Sequence, residues 1–439
     1  MQEKGREWKV AVVGAGPGGV YASDILIKRL KEKAPLLGLP AAVHIDVFEK
    51  NPAPYGLVRY GVAPDHPAIK SISQALDRAL EAKEISLYCN VCYGKDMALG
   101  DLLPRYDALI FATGAGEDGS WGLGQEKIEG VLGAGQIAGW YNSLPGFAPP
   151  LLNSRAAAVI GGGNTALDVA RILLQDPYTL SKTDMPYEVW SRLASSRIEE
   201  VHIFIRRGVG GNKFSAQQIR QLKGCGRLIL DEFSKDSLKS FEPDEKAAKE
   251  VKNELESPGG ERSPKRAYMH FSSFVSALFA PEGRLEALEI SRNEGGEPKG
   301  AFCLKTGLCI SAVGWRSQKL PDLPFDGSKG SIPNEGGRIG RKVYVAGWAK
   351  RGSKGLIGAT KADASQTVDL ILSDWSQSGQ GPIDASPIEE FLKERGIPFT
   401  NKEGWFLLEG YEARLGKPDN KKSVKVGSAC EMKRISGLA

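Results

Sequence analysis

The sequence predicts an α/β protein made of two Rossmann-like dinucleotide-binding domains, one inserted into the other. Three observations predict it. A strand, a glycine turn and a helix occur at 8–30, the same unit returns at 156–174, and 439 residues are enough for two domains of ~150 residues or more. Hydrophobic residues make up 41% and charged residues 25%, which supplies large cores and argues against wholesale disorder. Fifty-three glycines stand well above the usual ~7% share, and they cluster as expected where backbone must approach a ligand.

The first unit runs from the apolar strand Trp8–Val13 through Gly14-Ala15-Gly16-Pro17-Gly18-Gly19 into a helical pattern over Val20–Leu30. In this spacing Gly14 allows the tight turn, Gly16 admits a pyrophosphate, and Gly19 lets the helix pack on the sheet with its N-terminus toward the phosphates. The next strand, His44–Phe48, ends in Glu49, a carboxylate placed to accept the hydroxyls of an adenosine ribose. Residues 31–40 are expected as a helix extension and loop that absorb the long spacing between Gly19 and Glu49.

The second unit has its strand at Ala157–Ile160, its turn at Gly161-Gly162-Gly163-Asn164-Thr165-Ala166 and its helix over Leu167–Leu174, apolar at helical spacing. Its reading strand, Val201–Ile205, ends in Arg206-Arg207 instead of a carboxylate. Two guanidinium groups there suit a 2′-phosphate bidentately, so the second nucleotide is expected to be NADP(H); a solvated strand end is the other reading. A third stretch places the strand pattern VYVAG at 343–347 before Trp348-Ala349-Lys350-Arg351-Gly352 and a helix opening near Gly355-Leu356-Ile357. Free amides and the positive helix end at Leu356 and Ile357 suit the pyrimidine edge of a flavin, which becomes negative on reduction. Trp348 either packs near the flavin or nicotinamide ring or belongs to the core.

With these residues in view, the chain resembles the adrenodoxin reductase family of ferredoxin-NADP(+) reductases, flavoproteins with two dinucleotide domains. The resemblance covers nearly the whole chain and is most specific in NPAPYGLVRYGVAPDHPAIK (51–70) and GWAKRG (347–352). ATGAGED, GWYNSLPG, VIGGGNTALDVARILL, IRRG and IPNEGGRI add to it. It implies FAD contacts at Gly18, Glu49, Leu57, Tyr93, Trp348 and Gly355 to Ile357. It implies NADP contacts at Gly162, Gly163, Asn164, Thr165, Arg206, Arg207 and Gly355. There are three departures from the family pattern. Gln218 stands where the family has a glutamate beside the nicotinamide, Ser353-Lys354 replaces a proline-threonine pair, and Tyr93 replaces a valine. His66, inside the specific block, is the imidazole placed for proton handling, with Trp348 and Gln218 as the other candidate catalytic positions.

The resemblance implies hydride transfer from NADPH to FAD, then single-electron transfer to an iron-sulfur protein. A diaphorase or quinone reductase is the alternative enzyme, and a flavin- and NADPH-binding regulator the alternative outside catalysis. Residues 1–116 and 313–439 are expected to form a discontinuous FAD domain, and 117–312 the inserted NADP domain. The net charge of +5 is too slight to imply a nucleic-acid partner. A local basic face of Lys213, Arg220, Lys223 and Arg227 is the expected dock for an acidic ferredoxin. Cys89-Asn90-Val91-Cys92 lies in a strand pattern that sets its cysteines on opposite faces, against a redox role. His44, His202 and His270 lie in strand runs, and no Cys/His spacing suits a metal. Without a signal-like N-terminus or a membrane-length apolar run, the expected setting is cytoplasmic, or the mitochondrial matrix if a presequence is removed.

Overall fold

A computed structural model describes residues 6–438 except 124–127, 212, 244, 261–262 and 356. Its chain divides into two compact units, one of residues 1–62, 66–117 and 315–439, the other of 63–65 and 118–314. The sequence places the main breaks at 116/117 and 312/313. The three-residue excursion Ala63–Asp65 has no counterpart in that expectation, because nothing in its local sequence marks a change of unit.

The first unit is built on a six-stranded sheet in the order Arg338–Gly340, Val343–Val345, Ala108–Phe111, Trp8–Val13, Val43–Glu49 and Ile85–Cys89. All neighbours are parallel except the outermost pair, Arg338–Gly340 with Val343–Val345. The central strands are apolar throughout because parallel strands covered on both faces have no polar side to spare. Val10, Ala11 and Val12 are fully buried, as are Leu109, Ile110 and Phe111. The helices Pro17–Leu37 and Ile357–Ser378 pack against each other, and the Trp8 ring lies parallel to Trp375 at 3.9 Å. The first helix runs to Leu37, across Pro35 and up to a left-handed Gly38. Within the span expected as helix extension and loop, residues 31–37 are therefore the helical part.

The second unit repeats the plan. Its sheet runs Val131–Gly133, Cys309–Ser311, Ala156–Ile160, Glu200–Ile205, Arg266–Phe271 and Arg227–Leu230, every neighbour parallel. Alternation along the strands feeds two cores. Val201, Ile203 and Ile205 face the helical side with Leu167 and Ile219. Phe204 and Ile160 face Val275, Leu288 and Ile290 of a three-stranded antiparallel sheet, Ser273–Phe279, Ala287–Glu294 and Glu297–Lys305. The charge-dense stretch 235–266 contains the helix Lys246–Glu256. Among the described residues, no helix is long and apolar enough to cross a membrane.

Candidate functional site: two nucleotide turns

The two glycine turns divide their glycines between packing and access. In the first unit a Cβ on Gly14 would lie 2.5 Å from the Ala112 carbonyl oxygen, and one on Gly19 only 2.0 Å from that of Gly14. Both glycines are required by the protein's own backbone. A Cβ on Gly16 would meet nothing within 4 Å, and Gly16 caps the helix Pro17–Leu37. The open position therefore sits at the positive end of a 21-residue helix, the arrangement that receives a pyrophosphate. Gly18 lies within that first helical turn and would bring a Cβ within 3.6 Å of Gly347.

Glu49 ends its strand nearly buried, at 6% exposure. One carboxylate oxygen accepts the Ala15 N–H at 3.1 Å; the other accepts from Asn51, N–H at 3.0 Å and Nδ2 at 2.7 Å. Burial raises its pKa, opposed by these donors. Glu49 thus ties the glycine turn to the next loop and keeps lone pairs for further donors. Half-buried Leu57 opens the short helix Leu57–Tyr60. The Tyr93 ring is buried edge-on against Phe111, with its hydroxyl donating to the Pro321 carbonyl at 3.0 Å, so its side chain is committed to the protein.

At the third stretch, Gly347 has φ 73°, and its N–H donates to Asp363 at 2.5 Å. Lys350 pairs with the same carboxylate at 3.1 Å. Trp348 is half-buried and begins the short helix Trp348–Arg351. Gly355 has φ 80° just before the helix that opens at Ile357. Leu356 lies outside the described residues. Ser353 Oγ donates to the Trp315 carbonyl at 2.8 Å.

In the second unit Gly161 has φ 148°, and a Cβ there would lie 2.4 Å from the Ala312 carbonyl oxygen. A Cβ on Gly162 would lie 2.9 Å from Ile205, whereas one on Gly163 would meet nothing within 4 Å. Gly163 caps the helix Asn164–Leu174. Asn164 is exposed, Thr165 half-buried, and Ala166 fully buried at the position of the third glycine. Arg206 and Arg207 are both exposed, and neither is ion-paired among the described residues.

Gln218 is 9% exposed in the helix Ala216–Cys225, whose N-cap is Ser215. Its Oε1 accepts from Arg171 at 3.1 Å. Sequence reasoning missed Arg171, which is buried and grips Asp65 at 2.6 and 2.8 Å and Asp168 at 2.9 Å. Nothing local marks an arginine inside an apolar helix as the hub of residues 47 and 106 positions away. His66, next to Asp65 in the chain, is half-buried and caps the short helix Pro67–Lys70.

The expected basic face is corrected at Lys223. Its side chain is 8% exposed, and its Nζ donates to Ser257, carbonyl at 2.7 Å and Oγ at 2.8 Å, and to the Glu254 carbonyl. Desolvation lowers its pKa. Arg220 is exposed but paired with Glu254 at 2.8 Å; Lys213 and Arg227 are exposed. The helical spacing of Arg220 and Lys223 could not reveal that Lys246–Glu256 packs against their helix.

The CxxC segment also differs from its strand pattern. The strand ends at Cys89, Asn90 turns the chain at φ 65°, and burial pushes both thiols up in pKa. His44 bonds Asp46, while His202 bonds His270, which bonds Asp231. Among the described residues no cluster suits a metal.

No family model matches the chain. It is 34% identical to the NADPH-ferredoxin reductase FprA of Mycobacterium tuberculosis over 461 aligned positions, covering 98% of this chain and 99% of that one. It is 32% identical to the mitochondrial NADPH:adrenodoxin oxidoreductase of Bos taurus, covering 98% and 92%. The solved structure of M. tuberculosis FprA in complex with NADPH superposes with a TM-score of 0.90 at 32% identity, covering 98% of this chain and all of the other. The chain belongs to the adrenodoxin reductase family of NADPH-ferredoxin reductases.

Proposed function

We propose that this chain is an FAD-dependent NADPH-ferredoxin reductase whose discontinuous unit (1–116 and 313–439) holds FAD and whose inserted unit (117–312) holds NADPH. The carrying observation is the pair of turns with one backbone logic and opposite charge at the ribose end, Glu49 in one and Arg206-Arg207 in the other. Gly14, Gly16, Gly18, Gly19 and Glu49 fit the adenosine and pyrophosphate of FAD, because Gly16 leaves the helix N-terminus open while the other two fingerprint glycines are filled by backbone. Leu57, the Tyr93 main chain, Trp348 and the segment Gly355 to Ile357 complete the flavin site in this reading. A bound FAD would supply the link between two-electron chemistry with NADPH and one-electron delivery to an iron-sulfur protein.

The protein's part is to bind, orient and compensate charge. Helix N-terminal amides meet the pyrophosphates, and Arg206 and Arg207 take the 2′-phosphate. Gly162, Gly163, Asn164 and Thr165 line the second turn. His66 handles the proton. Gln218, with its oxygen committed to Arg171, offers only a neutral amide donor, since a guanidinium has no acceptor to give it. The finer proposal for the partner is an acidic ferredoxin that docks on exposed Lys213 and Arg227, in a cytoplasmic setting. Turnover with a ferredoxin is compared with turnover using a quinone. Efficient, salt-sensitive ferredoxin reduction is expected, and activity confined to the quinone contradicts the reading.

A further inference from the structure

The loop after Glu49 is held in an unfavourable conformation, and several of the contacts that hold it come from the far end of the chain. Tyr55 has φ 78° and Gly56 φ 48°. A positive φ on a bulky residue persists only where its surroundings enforce it. The loop lies on the first glycine turn: the Tyr55 N–H donates to the Ala15 carbonyl at 2.8 Å, and a Cβ on Gly56 would come within 3.3 Å of the Gly16 Cα.

Two sets of contacts enforce it. The Tyr55 hydroxyl bonds Asp77, receives the Trp405 Nε1–H at 3.3 Å, and its ring meets Trp405 edge-on at 5.5 Å. Four residues further on, Arg59 is buried in a two-pronged pair with Glu412, at 2.6 and 2.9 Å. Glu412 also accepts the Val426 N–H at 2.9 Å, and the Lys425 ammonium donates to the Arg59 carbonyl at 2.8 Å. Trp405 and Glu412 both belong to the helix Lys402–Gly416. A buried pair of this kind is a poor source of stability, because desolvation offsets most of the attraction; its geometric definition is what it contributes.

We propose that Arg59 and Glu412 are positioning residues of the flavin site, through which the helix Lys402–Gly416 fixes the loop 55–61 on the pyrophosphate turn. This rests on the FAD reading of the first unit. Neither residue needs to touch the cofactor; their role is to keep Leu57 and the Gly56 backbone in place beside Gly16.

The test is FAD binding to the full-length apoprotein, followed by flavin fluorescence and the visible spectrum, with NADP+ affinity and thermal stability of the apoprotein measured alongside. Arg59→Leu and Glu412→Leu each strand a buried charge, so both are expected to lose stability and FAD affinity together. The double variant, Arg59→Leu with Glu412→Leu, removes both charges and is expected to regain most of the stability. Its FAD affinity is expected to stay at least about tenfold below the parent's, with an altered flavin spectrum and NADP+ affinity within about twofold. A double variant that binds FAD with parental affinity and spectrum overturns the inference alone. A parent that binds no FAD overturns the flavin reading and the inference with it.

Discussion

The two nucleotide turns share a backbone and differ in how finished their ribose ends are. In the first, Glu49 is buried and already bonded to Ala15 and Asn51, and the following loop is clamped by Arg59 and Glu412. In the second, Arg206 and Arg207 stand exposed. A site whose polar groups are locked into the fold suits a ligand that stays, because little ordering remains to be done on binding. A site of solvated arginines suits a ligand that arrives and leaves with each turnover. On the proposed reading, the same supersecondary unit serves a resident cofactor and an exchanging substrate, and the difference lies in the contacts behind Glu49 and the arginine pair more than in the glycines.

The comparison breaks most visibly at the glycines of the first turn. Gly19→Ala drives a methyl into the Gly14 carbonyl, so it should cost about 3 kcal/mol in stability and abolish FAD retention. Gly16→Ala places its methyl in open space at φ −74°. The apoprotein should be unchanged or steadier by about 0.4–1 kcal/mol, while FAD affinity falls at least tenfold. Thermal melts with and without FAD separate the two, and equal behaviour of both variants would remove the distinction between packing and access.

In the second turn the expected loss falls on affinity and spares the fold. Arg206→Ala and Arg207→Ala should each weaken NADPH binding by about 1.5–3 kcal/mol, roughly tenfold to a hundredfold, and leave NADH binding and melting temperature alone. Equal losses for both nucleotides would detach the arginines from the 2′-phosphate.

Lys223 and Lys213 sharpen the contrast between an interior and a surface cation. Lys223→Ala should lower stability by about 1–3 kcal/mol, because the ammonium's hydrogen bonds to Glu254 and Ser257 are lost, without changing the salt dependence of ferredoxin reduction. Lys213→Ala should do the reverse, flattening that salt dependence with no change in melting temperature.

The smallest effect concerns Gln218. A glutamate there would be the third carboxylate around one guanidinium, beside Asp65 and Asp168, so burial and like charge should raise its pKa against the lowering by Arg171. Gln218→Glu should match the parent at low pH, where the new group is neutral, and depart from it as pH rises and the group ionises. His66→Gln should lower turnover or shift the parent's profile. Superimposable pH profiles for NADP+ binding and NADPH oxidation in all three proteins would reduce both positions to structural roles.

What the sequence disclosed follows from the range of the interactions. Strand, turn and helix are written in consecutive residues, so both glycine turns, Glu49 and the arginine pair are legible. The ranges agree to within a residue or two at most strands. Contacts between distant segments leave no local trace. Arg59 meets Glu412 across 353 positions, and Arg171 meets Asp65 across 106. Lys223 reads as a surface cation until the Lys246–Glu256 helix covers it, whereas the helix extension expected within 31–40 does continue past Pro35 to Leu37. The turns were visible because their chemistry is local; their supports were hidden because theirs is not.

One resident flavin served by an NADP-selective site can be read out in an anaerobic titration. The purified, FAD-loaded protein is mixed with stoichiometric NADPH, or with NADH at the same concentration, and its visible flavin absorbance is followed. Prompt bleaching by NADPH and little by NADH is expected, with the selectivity lost in Arg206→Ala/Arg207→Ala. A colourless loaded protein, or equal bleaching by both nucleotides in the parent, would contradict it.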